Sequence, residues 1–158
     1  MARWLAGERI DALYASPLRR ALETAEPLAR VTGHEIRVEE GVIEFDHDSD
    51  VYVPLEEIKA NEPERWLEMV QGGIYADIDL AGFRSLLKDA LERIIAAHPG
   101  ERVAVVCHGG VINNWAGYVL GIDDPAFFNP GYTSVNRFLA ASSGERSVLS
   151  LNEQGHLR

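Results

Sequence analysis

The sequence predicts a three-layer α/β domain, a mostly parallel sheet with helices on both faces. Three observations carry that expectation. Two short apolar runs, Ile10 to Ala15 and Val103 to Cys107, each end in a tight turn that leads into an apolar stripe at helical spacing. The second run is continuous rather than alternating, the pattern of a strand buried on both faces of a parallel sheet. Near the end, Ser142-Ser143-Gly144 separates two more strand-like runs, a hairpin signal that adds an antiparallel edge.

A chain of 158 residues is enough for one domain with a real core, and residues 1–158 are read as a single unit. Its formal net charge is −10, with 25 acidic against 15 basic side chains. A field of that sign argues against nucleic acid or an anionic membrane surface as a partner. A small phosphorylated ligand remains compatible where a few basic groups converge. The single cysteine, Cys107, fits a reducing compartment. No apolar run approaches the roughly 18–20 residues of a membrane span, and no basic-then-apolar leader opens the chain. The expected location is the cytoplasm.

Taken in order, Trp4 to Ala6 followed by Gly7 reads as the last turn of a helix that has no beginning. Ile10 to Ala15 is a strand. Ser16-Pro17 offers an N-cap and a proline at the first helical position. The stripe Leu18, Leu22, Ala25, Leu28, Ala29 then runs to Gly33, with Pro27 inside it expected to bend the helix. Arg19 and Arg20 fall in the first turn, where a helix favours anions over cations. That cost is tolerated where an arginine faces a bound anion. Glu35 to Phe45 begins as a strand and continues as a loop. Asp46, Asp48 and Asp50 mimic the spacing of a calcium loop, but Val51 stands where glycine is needed and Pro54 disrupts the later positions, so a solvated acidic loop is expected.

Asn61 to Val70 reads as a short helix, capped by Asn61 with Glu64 and ended by Gly72-Gly73. Asp79 to His98 is a longer helix capped by Asp79, with Phe83, Leu86, Leu87, Ala90, Leu91, Ile94 and Ile95 on its apolar face. Trp66 and that face are expected in the core. Pro99-Gly100 stops the helix, and the apolar strand follows, with His108 at its end. Open α/β sheets bind ligands at that edge. After Gly109-Gly110 comes a helix marked by Ile112, Trp115, Ala116, Val119 and Leu120, whose N-terminal N–H groups suit an anion. Phe127, Phe128 and Tyr132 either wall a pocket or fill a corner. Thr133 to Ala140 and Ser147 to Leu151 are the hairpin strands.

Three segments together resemble the histidine phosphatase superfamily, the phosphoglycerate mutase-like fold. Ser16-Pro-Leu-Arg-Arg20-Ala-Leu-Glu-Thr24-Ala is similar to the family's second motif, Val106-Cys-His108-Gly-Gly to its late motif, and Gly41-Val-Ile-Glu44-Phe-Asp to the segment with the proton donor. The closing Leu151 to Leu157 resembles the family's C-terminal end. The resemblance implies a phosphomonoesterase or phosphoglycerate mutase acting through a phosphohistidine, the former preferred, on a small phosphorylated substrate or inorganic phosphate. It implies no cofactor and no metal. Arg20 and His108 would bind phosphate, with Glu44 as proton donor and Ser16, Arg19 and Gly109 as further candidates. A bidentate guanidinium and backbone donors meet the need for positive charge around the equatorial oxygens.

The family's first motif, Arg-His-Gly at the end of its first strand, does not occur in the 158 residues. His34, His47, His98 and His156 are poor replacements by their positions in turns, tail and an acidic loop. The expectation is a domain truncated at its N-terminus relative to the family, missing the first strand and part of an active phosphatase. The competing expectations are an inactive short form that binds a phosphorylated ligand or a protein partner, and an interaction protein in which the motifs are relics. Unpaired edges and apolar surface left by a missing strand would favour a homodimer.

Overall fold

Side chains on a strand alternate between the two faces of its sheet, and one strand of this chain shows where the layers lie. In the computed structural model, which describes residues 1–45, 55–72 and 78–158, the strand is β3 (Val103–Val106). Ala104 and Val106 pack with Leu5, Leu13 and Leu28. Val105, with Cys107 just beyond the strand, packs with Val42, Leu87, Ala90, Val111 and Trp115. The first cluster is covered by α1 (Ala2–Leu5) and α2 (Arg19–Thr32), the second by α5 (Leu80–Ala97) and α6 (Gly109–Leu120). The three-layer expectation is met. Leu13, Leu28 and Leu87 are fully buried, each contributing about 2 kcal/mol of transfer free energy.

β1 (Ala12–Ala15) lies between β2 (Ile36–Val38) and β3, all parallel, with Tyr14 opposite Arg37 on one side and Val105 on the other. β4 (Val135–Ala140) and β5 (Arg146–Glu153) form a separate antiparallel pair. That hairpin is held to the rest by side chains. The Arg137 fork reaches both oxygens of Glu8 at 2.7 Å, Arg146 pairs with Glu92, and Phe138 sets its ring against Trp115 at 6.3 Å between centroids. All of β3 is half-buried, although its composition suits an interior strand, because among the described residues only β1 pairs with it. A cavity of about 1780 Å³ lies between its outer edge and β4.

Several local expectations are corrected. Helix α2 starts at Arg19, with Leu18 in an extended conformation as its N-cap and no side-chain cap; the Ser16 hydroxyl is turned to His108 instead. The helix continues across Pro27 and ends at Gly33, whose φ of 74° is left-handed. At the start of the chain, the cap of α1 is Ala6 in right-handed conformation rather than Gly7. Asn61 closes α3 (Leu55–Asn61) rather than capping a helix, because Pro63, lacking an N–H, opens α4 (Pro63–Gly72). Trp66 is half-buried, with the Lys59 ammonium 5.6 Å from its ring centroid, and Leu86 is 66% exposed on α5. Asp79 caps α5 as expected, accepting from the Gly82 N–H at 2.9 Å. Asp46, His47, Asp48, Asp50, Val51, Pro54 and Gly73 lie outside the described residues. Among the described residues no helix is long and apolar enough to cross a membrane.

Candidate active site

Because β1 and β3 are parallel neighbours, Ser16 and His108, each just past its strand, emerge at the same edge of the sheet. The helices that follow them, α2 and α6, start there as well. The Arg20 Nε donates to His108 Nδ1 at 3.3 Å, and His108 Nε2 lies 2.8 Å from the Ser16 hydroxyl. An imidazole nitrogen that accepts from a guanidinium carries no proton, so the proton of His108 sits on Nε2 and is donated to Ser16. The Ser16 oxygen also accepts from the Leu18 N–H at 3.3 Å. Burial, with the Arg20 charge beside it, pushes the His108 imidazole down to about 4. The ring is therefore neutral at pH 7.

Glu44 joins this group from a different direction. A 3₁₀ turn, Glu40–Val42, presses against α5 so closely that a Cβ at Gly41 would lie 2.4 Å from the Ala90 Cβ. Val42 is buried in the core cluster beside it, and the chain then delivers Glu44 to the start of α6. Its carboxylate accepts from the Gly110 N–H at 2.9 Å and the Phe45 N–H at 3.1 Å. The positive end of α6 thus meets Glu44 itself. Glu44, His108 and Ser16 are 7%, 8% and 0% exposed. Polar groups this well buried persist because each is hydrogen-bonded.

The structure does not bring Arg19 into the group. Successive residues on a helix point about 100° apart, and with Arg20 facing His108 the Arg19 side chain is 90% exposed and pairs with Glu23 at 2.6 Å. Gly109 lies at the first position of α6 with open space where a Cβ would be. Gly110 is the glycine the geometry requires: a Cβ there would lie 2.3 Å from Glu44 Oε1 and 2.7 Å from the Phe45 ring. The sequence motif holds both glycines and gives no sign which one is constrained, since Glu44 lies 66 residues away.

Two asparagines of α6 also went unread. Asn113 donates to the Phe128 carbonyl at 2.8 Å and accepts from the Phe128 N–H at 3.3 Å. Asn114 accepts from Arg84 Nε at 2.8 Å and donates to the Gly110 carbonyl at 2.9 Å. With Phe128 fixed in this way, Phe128 and Tyr132 wall the cavity that Arg20, Glu44 and His108 also line, while Phe127 packs in the corner beside Gly117. Cys107 borders the same cavity, its thiol pushed up to about 12 by burial and by Glu44. The other described histidines are engaged elsewhere. His34 Nε2 lies 2.6 Å from the Ile10 carbonyl, His98 bonds Tyr14 and Glu101, and His156 bonds Thr133. Among the described residues no group of three or more His, Cys, Asp or Glu is placed to hold a metal ion.

Residues 1–154 match the model of the histidine phosphatase superfamily, branch 1. Phosphoserine phosphatase 1 of Hydrogenobacter thermophilus is 30% identical over 166 aligned residues, covering 99% of this chain and 77% of that protein. Among solved structures, YhfR of Bacillus stearothermophilus superposes with a TM-score of 0.79 at 22% identity, over 99% of this chain and 81% of that one. The mycobacterial glucosyl-3-phosphoglycerate phosphatase in complex with VO3 superposes with a TM-score of 0.75 at 21% identity, over 97% and 81%. At those identities the structures speak to the fold alone.

Proposed function

The chain belongs to the histidine phosphatase superfamily, branch 1, and on that premise we propose that its site binds the phosphate of small phosphomonoesters and serves their hydrolysis. The relative named a phosphoserine phosphatase supports a substrate of that size and charge. The observation that carries the reading is the contact between Arg20 Nε and His108 Nδ1, at the edge where two helix N-termini converge. A guanidinium held against a neutral imidazole is an arrangement that supports entry of a phosphate dianion. The dianion accepts the Arg20 fork, and its charge favours protonation of His108, which turns a hydrogen-bond acceptor into a second donor.

In the proposed reaction a nucleophilic imidazole attacks phosphorus, the bond to the ester oxygen breaks, and Glu44 gives its proton to the departing alkoxide. Water then attacks the phosphohistidine, its proton returns to the Glu44 carboxylate, and phosphate leaves. Arg20 and His108 stabilise the charge spread over the transferring oxygens in both steps. Glu44 takes the acid role when the dianion arrives beside it, since two like charges favour its protonated form. The attacking imidazole is assigned to the Arg-His-Gly motif of the family, which the 158 residues do not contain. The second reading, phosphate binding without turnover, is favoured by the same fact, together with the engagement of His34, His98 and His156 elsewhere.

The experiment is vanadate and inorganic phosphate binding, together with turnover of an aryl phosphate. Arg20→Ala or His108→Ala is expected to weaken binding at least tenfold, about 1.4 kcal/mol. Arg19→Ala should change it less than twofold. Unchanged binding in both site variants overturns the assignment. Turnover separates the two readings.

A further inference from the structure

Among the described residues two that are not glycine hold a left-handed backbone, Asn152 with φ of 55° and Thr133 with φ of 56°. Asparagine takes that conformation readily, whereas a β-branched side chain rarely does. The Gly131 carbonyl accepts from the Ser134 N–H at 3.0 Å, so Gly131 to Ser134 is a tight turn with Thr133 at its third position. Positive φ at that position alone is the type II pattern, which calls for glycine or asparagine. Such a conformation persists only where the surroundings hold it. Here the holding groups come from β5 and the 3₁₀ turn behind it, Gly155–Leu157. Thr133 Oγ1 lies 3.0 Å from His156 Nε2. The His156 ring sits against Trp4, 5.3 Å between centroids, and its Nδ1 is buried with no hydrogen-bond partner among the described residues. Thr133 is thus the polar contact that fixes this imidazole. Asn152, where β4 and β5 slip register, accepts from the Gly131 N–H at 2.9 Å and donates to the Asn129 carbonyl at 3.4 Å. Between these fixed points stands Tyr132, 62% exposed, on the wall of the cavity that Arg20, Glu44 and His108 also line.

We propose that Tyr132 is a specificity-determining residue of the phosphate site, the surface that meets the alcohol portion of a bound phosphomonoester, and that Thr133 and His156 are positioning residues that hold it there. The inference rests on the phosphate-site reading. Arg20 and His108 supply the charge and the donors that phosphate oxygens need. A phenol ring brings no charge to a dianion; it offers a flat apolar face with one hydroxyl at its rim. Its effect therefore falls on the ester group, and it discriminates among esters rather than setting the affinity for phosphate itself. An alcohol portion with an apolar surface of its own suits that face. The choice of threonine follows from the same arrangement. Glycine at position 133 would adopt the turn unaided, but would give His156 nothing to hold. Threonine forgoes the easy turn and supplies the hydroxyl through which a second segment fixes the peptide next to Tyr132.

The test measures binding of inorganic phosphate and of benzylphosphonate, whose P–C bond is not hydrolysed, by calorimetry on the 158-residue chain. The readout is the ratio of the benzylphosphonate affinity to the phosphate affinity. Tyr132→Ala is expected to lower that ratio about tenfold, and His156→Ala about fivefold. The double variant His156→Ala with Thr133→Gly is the rescue. Glycine takes the left-handed conformation without the imidazole, so the ratio should return to within about twofold of the parent. A general structural role for His156 would not be mended by glycine at position 133. A ratio unmoved by Tyr132→Ala overturns the role of Tyr132. A ratio moved by Tyr132→Ala but not by His156→Ala overturns the positioning, as does a double variant no better than His156→Ala. Phosphate binding by the parent with a ratio unmoved in every variant keeps the phosphate reading and removes this inference alone. A parent chain that binds no phosphate overturns the phosphate reading, and this inference with it.

Discussion

The chain contains two strand–turn–helix units, β1–α2 and β3–α6, that begin alike and end differently. β1 is the less apolar strand by sequence, yet it is buried at three of four positions, while the all-aliphatic β3 is half-buried throughout. Position in the sheet decides this: among the described residues β1 has a partner on each side and β3 has one. The turns differ as well. The first carries a cation, Arg20, in the opening turn of its helix, whereas the N-terminus of α6 receives a carboxylate, Glu44, from a segment outside the unit. Positive charge at the site therefore comes from a side chain, since the dipole of α6 is matched by Glu44. Two copies of one motif thus have helix N-termini in opposite electrostatic surroundings.

The comparison can be tested at four places. The largest effect is expected in the strands. Leu13→Ala in β1 should cost about 3 kcal/mol in urea denaturation and Val105→Ala in β3 about 1 kcal/mol or less. Similar losses at both would mean that β3 is as enclosed as β1. Next comes pH. His108 is held near 4 in the folded state against an ordinary value of 6.5, so between those values the unfolded chain binds more protons. Stability should fall as pH drops from 6.5 to 4, by up to about 3 kcal/mol. His108→Asn should remove that part of the slope, and denaturation midpoints at pH 7, 5 and 4 measure it. The turn glycines follow. Gly110→Ala must displace Glu44 and Phe45 and should cost about 2 kcal/mol, whereas Gly109→Ala, with open space around it, should stay within about 0.5 kcal/mol. Thermal melts of the two variants would show whether the constraint sits where the geometry places it. The smallest effect is the arginine pair: Arg20→Ala weakens phosphate binding tenfold and Arg19→Ala leaves it nearly unchanged.

Local signals in the sequence were sufficient wherever an element's partners are close in the chain. The strands carrying Ser16 and His108, the long helix capped by Asp79 and the hairpin around Gly144 all follow from periodicity and turn residues that act within a few positions. Ser16 was legible as a residue of the turn but not in its use, because its hydroxyl is claimed by His108, 92 residues away. Gly110 and Asn113 were missed for the same reason, since their partners Glu44 and Phe128 come from other segments. Hydrophobicity alone places Trp66 in the core, and the lysine beside its ring shows how an aromatic face can remain at a surface. Leu86 fits the apolar repeat of α5 yet lies on the edge of its stripe. Arg19 and Arg20 were indistinguishable by type, and only the rotation of the helix between them separates the one in solvent from the one at the site.

The amide of Asn113 grips the peptide of Phe128 from both sides, accepting its N–H and donating to its carbonyl as a neighbouring strand would. A wall held in that way has already lost its conformational freedom when a ligand arrives. Ordering a loop on binding carries an entropic cost, and at Phe128 the backbone share of it is met in the folded chain. If the proposed phosphate site holds a ligand, this wall would meet it on a backbone already in place, where a flexible loop would have to be ordered first.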